Sequence, residues 1–365
     1  MKIQEVVSVL NQWAPPPYQE SYDNATLITG NPTWELTGIL VTLDCTEEVV
    51  NEALEKKCNL IVAHHPIVFR GLKTLTGKNY VERTIIKAIK NDVAIFSIHT
   101  NLDNVHTGVN KKIAEKIGLS HCRILSPKKD TLTKLTTFVP SENIQEVSDA
   151  LFSAGAGQIG NYDQCSFVGE GTGTFRPNVE ANPHVGSAGA LHKELEQRIE
   201  VILPSHLQSK VIHALKKAHP YEEVAYYLTA LQNENQEVGS GMIGQLEEAI
   251  PVSEFLERLK ENFDLQVIKH TRIVKDQIKK VALCGGAGSF LLRNAANAGA
   301  DVFVSADFKY HEYFDADNQI MIADIGHYES EVFTKELIYE FLNEKLANIA
   351  VNLSERVTNP IKYFK

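Results

Sequence analysis

The sequence predicts an α/β protein: a split α/β domain interrupted by a ferredoxin-like α+β module. Three observations lead there. Strand-like and helix-like stretches alternate through the first third of the chain. The same alternation returns in the last third. The middle third instead follows a β-α-β-β-α-β order. Strands alternating with helices imply βαβ units and a mainly parallel sheet, whereas the middle order is that of a ferredoxin-like unit. The expected boundaries are 1–130 for the first segment of the split domain, 131–232 for the inserted module and 233–365 for the second segment.

The first segment opens with Ile3, Val6, Val7, Leu10 and Trp13 at helical spacing, stopped by Pro15, Pro16 and Pro17. Gly38 to Leu43 reads as a buried strand, Glu47 to Lys57 as a helix and Leu60 to Ala63 as a strand. Glu82 to Lys90 reads as a helix, Val93 to Ile98 as a strand and Val109 to Ile117 as a helix. In the middle, Lys134 to Val139 is an expected strand and Ile144 to Ala154 a helix. A hairpin is expected from Gln164 to Val168 and Gly173 to Phe175, turning at Glu170-Gly171-Thr172. Arg198 to Leu203 and Val224 to Leu231 read as strands around a helix from His206 to Ala218. The polar stretches Ser126 to Asp130 and Gln232 to Gln236 suit domain boundaries. In the last segment, Lys280 to Cys284, Asp301 to Ser305 and Gln319 to Ala323 are expected strands. They are followed by helices over Phe290 to Ala298, Lys309 to Phe314 and Tyr328 to Leu346. The two α/β segments either complete one sheet or face each other across a cleft.

Composition narrows the function. Lys plus Arg is 36 and Asp plus Glu is 46, a net charge of −10. That balance speaks against nucleic-acid and anionic-membrane partners, which need clustered cations. A hydrophobic share of 43% and a charged share of 22% fit a folded globular chain. No apolar run approaches the roughly 18 residues of a membrane span, and the N-terminus lacks a signal-peptide pattern. Five cysteines (45, 58, 122, 165 and 284) are scattered without a C-x-x-C pair, which suits buried thiols in the cytoplasm rather than a thiolate zinc site.

Chemistry concentrates where strands end, the edge at which open α/β sheets build sites. His64-His65-Pro66 follows the strand Leu60 to Ala63. Adjacent side chains on extended backbone point to different sides, so His64 and His65 can serve two neighbouring ions. Asp103 follows the strand Val93 to Ile98; an N-cap role is its simpler use. His99 is either a group that orients a ligand or a satisfied half-buried histidine. His327 and Glu331, four apart at a helix start, share one face. Glu329 points elsewhere and fits a solvated helix start. His64, His65, Asp103, His327 and Glu331 exceed the usual zinc ligand count. Two divalent cations bridged by Glu331 use all five, with zinc first and iron or manganese as alternatives. Glu331 and a water activated by the metals are the suspected catalytic groups. The turn Cys284 to Ser289 is glycine-rich but lacks a P-loop lysine, so it reads as a tight structural turn. Asp307, Lys309 and His311 either contact substrate or serve as caps and surface groups.

At these motifs the chain resembles a known family. Ala63-His64-His65-Pro66, His99-Thr100-Asn101-Leu102-Asp103-Asn104, Gly285 to Ser289, Ser305 to His311 and Asp324 to Glu331 occur in that order. The order resembles the GTP cyclohydrolase 1 type 2 homologue family, also called the Nif-three-like family. Gly171 to Pro177 and His219 to Glu223 look like the inserted module of its long bacterial members, similar to CutA and PII folds. The resemblance implies a dinuclear metal centre on the same five residues. It also implies a toroidal homohexamer with metal sites facing an inner cavity.

Three functions follow as expectations. The first is a metal-dependent hydrolase acting on a nucleotide or other phosphorylated compound. The second is a metal chaperone or insertase. The third is a regulatory ring that senses a small molecule through the inserted module.

Overall fold

The computed structural model describes residues 1–364. The first segment runs α1 (Ile3–Trp13), β1 (Leu27–Thr29), β2 (Ile39–Thr42), α2 (Glu47–Glu55), β3 (Leu60–Ala63), α3 (Tyr80–Lys90), β4 (Ala94–Ser97), α4 (Thr100–Asn104), α5 (Val109–Ile117) and β5 (Ser120–Pro127). The middle runs β6 (Leu132–Pro140), α6 (Ile144–Ser153), β7 (Ser166–Phe175), β8 (His192–Pro204), α7 (Gln208–Ala218) and β9 (Tyr226–Leu231). The last segment runs β10 (Gly239–Pro251), α8 (Val252–Phe263), β11 (Lys269–His270), β12 (Gln277–Ala287), α9 (Leu292–Asn297), β13 (Val302–Ala306), β14 (Met321–Asp324), α10 (His327–Glu331), α11 (Thr334–Lys345) and β15 (Val351–Leu353).

The chain divides into two compact units. Residues 1–127 and 237–365 form one, and Lys128–Gln236 the other. The split unit holds two sheets rather than one. The first has the order β1-β4-β3-β2-β15 and the second β11-β14-β13-β12-β10-β5. Each has a parallel run, β15-β2-β3-β4 and β12-β13-β14; antiparallel β1 edges the first on one side, and antiparallel β11 and β10-β5 flank the second. The two chain segments are interwoven. β15 from the C-terminal segment pairs with β2, and β5 from the N-terminal segment pairs with β10. An apolar core built on Val41, Val62, Phe96, Ile113, Leu283 and Val304 joins both segments. The central strands β2, β3, β4, β13 and β14 are buried throughout, as parallel strands covered on both faces must be.

Local chemistry sets the element ends. Thr46 accepts from the Val49 amide to cap α2, and Asn79 accepts from the Glu82 amide to cap α3. Gly118, in the left-handed region at φ +84°, closes α5.

The inserted unit is a four-stranded antiparallel sheet, order β7-β8-β6-β9, with α6 and α7 packed over Leu135, Val139, Ile199, Val201 and Leu203. This is the ferredoxin-like arrangement. The expected hairpin at Glu170-Gly171-Thr172 is absent. Residues 166–175 form one continuous strand whose pairing with β8 runs unbroken from Ser166 to Phe175. Gly169, Gly171 and Gly173 stay extended there, so they bare one face of the strand instead of turning it.

The helix expected over Tyr328 to Leu346 is two helices. The backbone remains right-handed through Val332 and Phe333, but α10 and α11 pack on different partners. α10 sits on the glycine-rich end of β12, where the Ser330 hydroxyl accepts from the Gly286 amide at 3.0 Å. α11 sends Ile338 and Leu342 into the core. The helices expected from Phe290 and from Lys309 begin as or remain 3-10 turns, Ser289–Leu291 and Tyr310–Ala316. Among the described residues no helix is long and apolar enough to cross a membrane.

Candidate metal centre

β3 ends at Ala63, so His64 and His65 leave the sheet at its carboxyl edge. The amides of both still donate to carbonyls at the end of β2, Thr42 and Leu43. Asp103 lies in α4, just beyond β4; His99, not Asp103, occupies the cap position. From the second sheet, β14 runs through Gly326 into α10, which carries His327 and Glu331. All five residues expected at the centre come together. One group comprises His64, Asp103 and Glu331, another His65, His327 and Glu331, and each keeps its donor atoms within 4.8 Å. Glu331 belongs to both. A third group of the same compactness is His64, His65 and His99.

Each imidazole spends Nδ1 on an acceptor and turns Nε2 inward. His64 Nδ1 donates to the Ile98 carbonyl at 2.9 Å. His65 Nδ1 donates to Asp44 Oδ1 at 2.7 Å, and His327 Nδ1 to Asp307 Oδ2 at 2.7 Å. Such outer contacts fix the tautomer and ring orientation of metal-binding histidines. Inward, His65 Nε2 and His327 Nε2 lie 2.9 and 3.0 Å from Glu331 Oε2. His64 Nε2 lies 3.5 Å from Asp103 Oδ1, and both atoms are buried without a hydrogen bond. Buried polar atoms are normally satisfied. Two unsatisfied donor atoms facing each other, with three Nε2 atoms and two carboxylates converging, fit a site for cations.

The charges of the site are balanced among its own groups. Burial, reinforced by the His65 charge, holds His64 down at about 3, in the neutral form that can ligate. Burial alone would lower His65 and His327, but the carboxylates outweigh it. Asp44 and Glu331 hold His65 up at about 9, and Glu331 and Asp307 hold His327 up at about 11. Burial followed by the Glu331 charge raises Asp103 well above the usual carboxylate range. Burial works the same way on Glu331, but His327 and His65 overcome it and keep the carboxyl ionised.

The glycine pair near the end of β12 shapes this site. Gly286 has φ +58°, and a Cβ there would collide with Glu331 Oε1. Only a glycine lets the buried carboxylate lie against the backbone. The expected tight turn over Cys284 to Ser289 is instead an irregular end of β12, which runs on to Ala287 with a register shift after Leu283. Asp307, a residue with substrate contact or capping in prospect, instead orients His327. Lys309 and His311 do not line the cleft. Glu329 is not simply solvated: it is half-buried, and its Oε1 accepts from Asn359 Nδ2 at 3.1 Å. Asp44 and Asp23 escaped sequence reasoning. Asp44 carried a signal, since it lies two residues beyond β2 at the same sheet edge. Its second oxygen accepts from the Thr358 hydroxyl at 2.6 Å. Asp23, from a loop without a regular pattern, accepts from His99 Nδ1 at 2.7 Å and from the Thr100 hydroxyl.

The donor atoms open into a cleft of about 690 Å³. Tyr22, Phe69 and Phe290 are exposed aromatics at its walls, and Cys284 lies deep within it. Burial raises the Cys284 thiol, so it is not a nucleophile at neutral pH. None of the described residues lining the cleft is Lys or Arg.

The comparisons with known proteins converge. The sequence profile of Duf34/NIF3 (NGG1p interacting factor 3) matches residues 1–360. A protein of Halalkalibacterium halodurans named GTP cyclohydrolase 1 type 2 homolog is 38% identical, covering 99% of this chain and 98% of its own. Its namesake in Bacillus subtilis is 35% identical over the same shares. The crystal structure of a Bacillus cereus protein related to NIF3 superposes with a TM-score of 0.88 at 36% identity, covering 100% of this chain and 99% of that one. The chain belongs to the Duf34/NIF3 family.

Proposed function

We propose that this Duf34/NIF3 protein is a metal-dependent hydrolase whose centre holds two divalent cations, zinc first among them. The observation that carries the reading is the shared carboxylate: Glu331 stands in both three-residue donor groups. His64, Asp103 and Glu331 would hold one ion, and His65, His327 and Glu331 the other. An imidazole-rich set with carboxylates suits zinc, iron or manganese better than magnesium or calcium. When bound, such ions lower the pKa of water toward neutrality and polarise a phosphoryl or ring-carbon centre.

The rest is done by the chain's own groups. Asp44, Asp307 and the Ile98 carbonyl hold three rings with Nε2 inward. The backbone of Gly285 and Gly286 in β12 keeps Glu331 in place. The cleft walls shield the centre with Phe69 and Phe290 and leave room for a compound of nucleotide size. The substrate class we propose is a nucleotide or other phosphorylated compound, in keeping with relatives named for GTP cyclohydrolase. With no lysine or arginine among the described lining residues, recognition of a phosphate would fall to the cations. The same reading takes the working form as a homohexamer, testable by sedimentation velocity.

The experiment is elemental analysis of protein purified without added metal, run beside a screen of nucleotides and phosphoesters. The expected result is about two metals per chain and a turnover that chelation removes. Metal-replete protein that hydrolyses nothing in the screen while donating metal to an apo-acceptor would replace this reading with metal delivery.

A further inference from the structure

We propose that the inserted module carries a binding site for an organic cation, an ammonium or guanidinium compound with an apolar body, on the open face of its sheet. The site does not depend on the metal centre or its chemistry.

The floor comes from the sequence Gly169-Glu170-Gly171-Thr172-Gly173. Side chains alternate along a strand, so the three glycines share one face and leave it bare. Their partners on β8 are Arg198, Glu196 and Glu194, which share that face. At Gly173 a Cβ would collide with the Glu196 carboxylate, which lies in the notch the missing side chain leaves. Over this floor lies a cavity of about 800 Å³, within the range of small-molecule sites. Its aromatic walls are Phe138, Phe167, Tyr221 and Tyr227, and the connection between β7 and β8 adds Pro183 and His184.

The charges say what the cavity takes. Five glutamates line it, at 170, 196, 200, 222 and 223, against two arginines, Arg176 and Arg198. Arg198 is already paired with Glu200, which also meets Lys134 Nζ at 3.2 Å. Glu196 is the exception. It is 8% exposed, and no Lys or Arg pairs with it among the described residues. The Tyr221 hydroxyl beside it is buried and offers a neutral donor, not a charge. Burial, then the hydrogen bond to Glu196 and the charges of Glu196 and Glu194, keep that phenol protonated. His219, which also neighbours Tyr221, has spent both nitrogens, one on the Phe138 carbonyl and one on the Tyr221 amide. A buried carboxylate is costly until a cation or donors reach it. Aromatic faces attract the same cations. The missing positive charge therefore belongs to the ligand, and the surplus of carboxylates turns away anions.

The test is isothermal titration of the full-length protein with spermidine, choline and arginine amide, and with AMP as an anion. At least one cation is expected to saturate at one site per chain. Glu196→Gln keeps the shape and is expected to weaken that binding by about tenfold or more. Phe167→Ala, whose ring is 71% exposed, is expected to weaken it by about threefold without loss of fold. If Glu196→Gln fails to fold, the Phe167→Ala titration decides. Absence of saturable binding by all three cations up to about 10 mM overturns the proposal. So does unchanged affinity in the folded variants, or tighter binding of AMP.

Discussion

The metal cleft and the cavity of the inserted module are both built from carboxylates beside glycine-bared backbone, yet they treat their polar groups in opposite ways. In the cleft, each imidazole has one nitrogen committed to an outer acceptor, and the inward atoms crowd one another. His65 and His327 already lean on Glu331. In the module, Glu196 has the neutral Tyr221 phenol beside it and no cation among the described residues. The first arrangement fixes directions and suits ions with strict geometry. The second offers charge and aromatic surface without fixed directions, which suits a softer and larger cation. Glycine serves each differently. Gly286, at φ +58°, admits one buried side chain, whereas Gly169, Gly171 and Gly173 lie extended and clear a whole strip.

The sharpest way to break this contrast is to neutralise the central carboxylate of each region. Glu331→Gln removes a ligand common to both donor groups. Metal content is expected to fall from about two per chain to less than one, read by elemental analysis. A variant that keeps both ions would remove the shared-carboxylate argument. Asp44→Asn and Asp307→Asn leave every inward donor in place and loosen one ring each. Metal affinity is expected to drop by about 10–100-fold, measured by competition with a chelator. If affinity is unchanged, the outer contacts hold the fold and not the site. Gly286→Ala probes the backbone. Its left-handed φ costs about 1–2 kcal/mol with any Cβ, and the methyl group displaces Glu331. A lower Tm together with weaker metal retention is expected. A lower Tm with normal metal retention would show that Glu331 can shift and still bind.

How much of this was readable in the chain follows from what local sequence encodes. The buried strands β2, β3, β4, β13 and β14 announced themselves as short apolar runs, because parallel strands are covered on both faces. His64, His65, Asp103, His327 and Glu331 could be gathered because sites form where such strands end. What was illegible was pairing between distant segments. β5, β10 and β15 carry polar or mixed sequences, and only their partners make them strands. Residues 239–263, a strand and the helix α8, gave no reading at all. The supports were equally hidden: Asp23 sits in an irregular loop, and only folding brings it to His99. The glycine repeat at 169–173 misled because glycine marks turns and bared strands alike, and the pairing with β8 decides between them.

A smaller effect separates support by fixed hydrogen bonds from support by charge. Glu82 stands in the first turn of α3 and is 2% exposed. Its carboxylate accepts from the Thr76 and Lys78 amides at 2.8 and 3.2 Å and from the Thr76 hydroxyl at 3.0 Å, tying residues 74–79 to the helix. Burial would raise this group, but the Thr76 and Lys78 amides outweigh it and hold the carboxyl at about 2. A folded-state value below the unfolded one adds stability above the ordinary glutamate range. That stability is lost as pH falls from about 4.5 toward 2. Glu82→Gln is expected to flatten the fall of the urea midpoint across that window while leaving metal binding at neutral pH alone. An unaltered slope would mean that the loop follows the acid through its protonation, and that its hydrogen bonds do not depend on the charge.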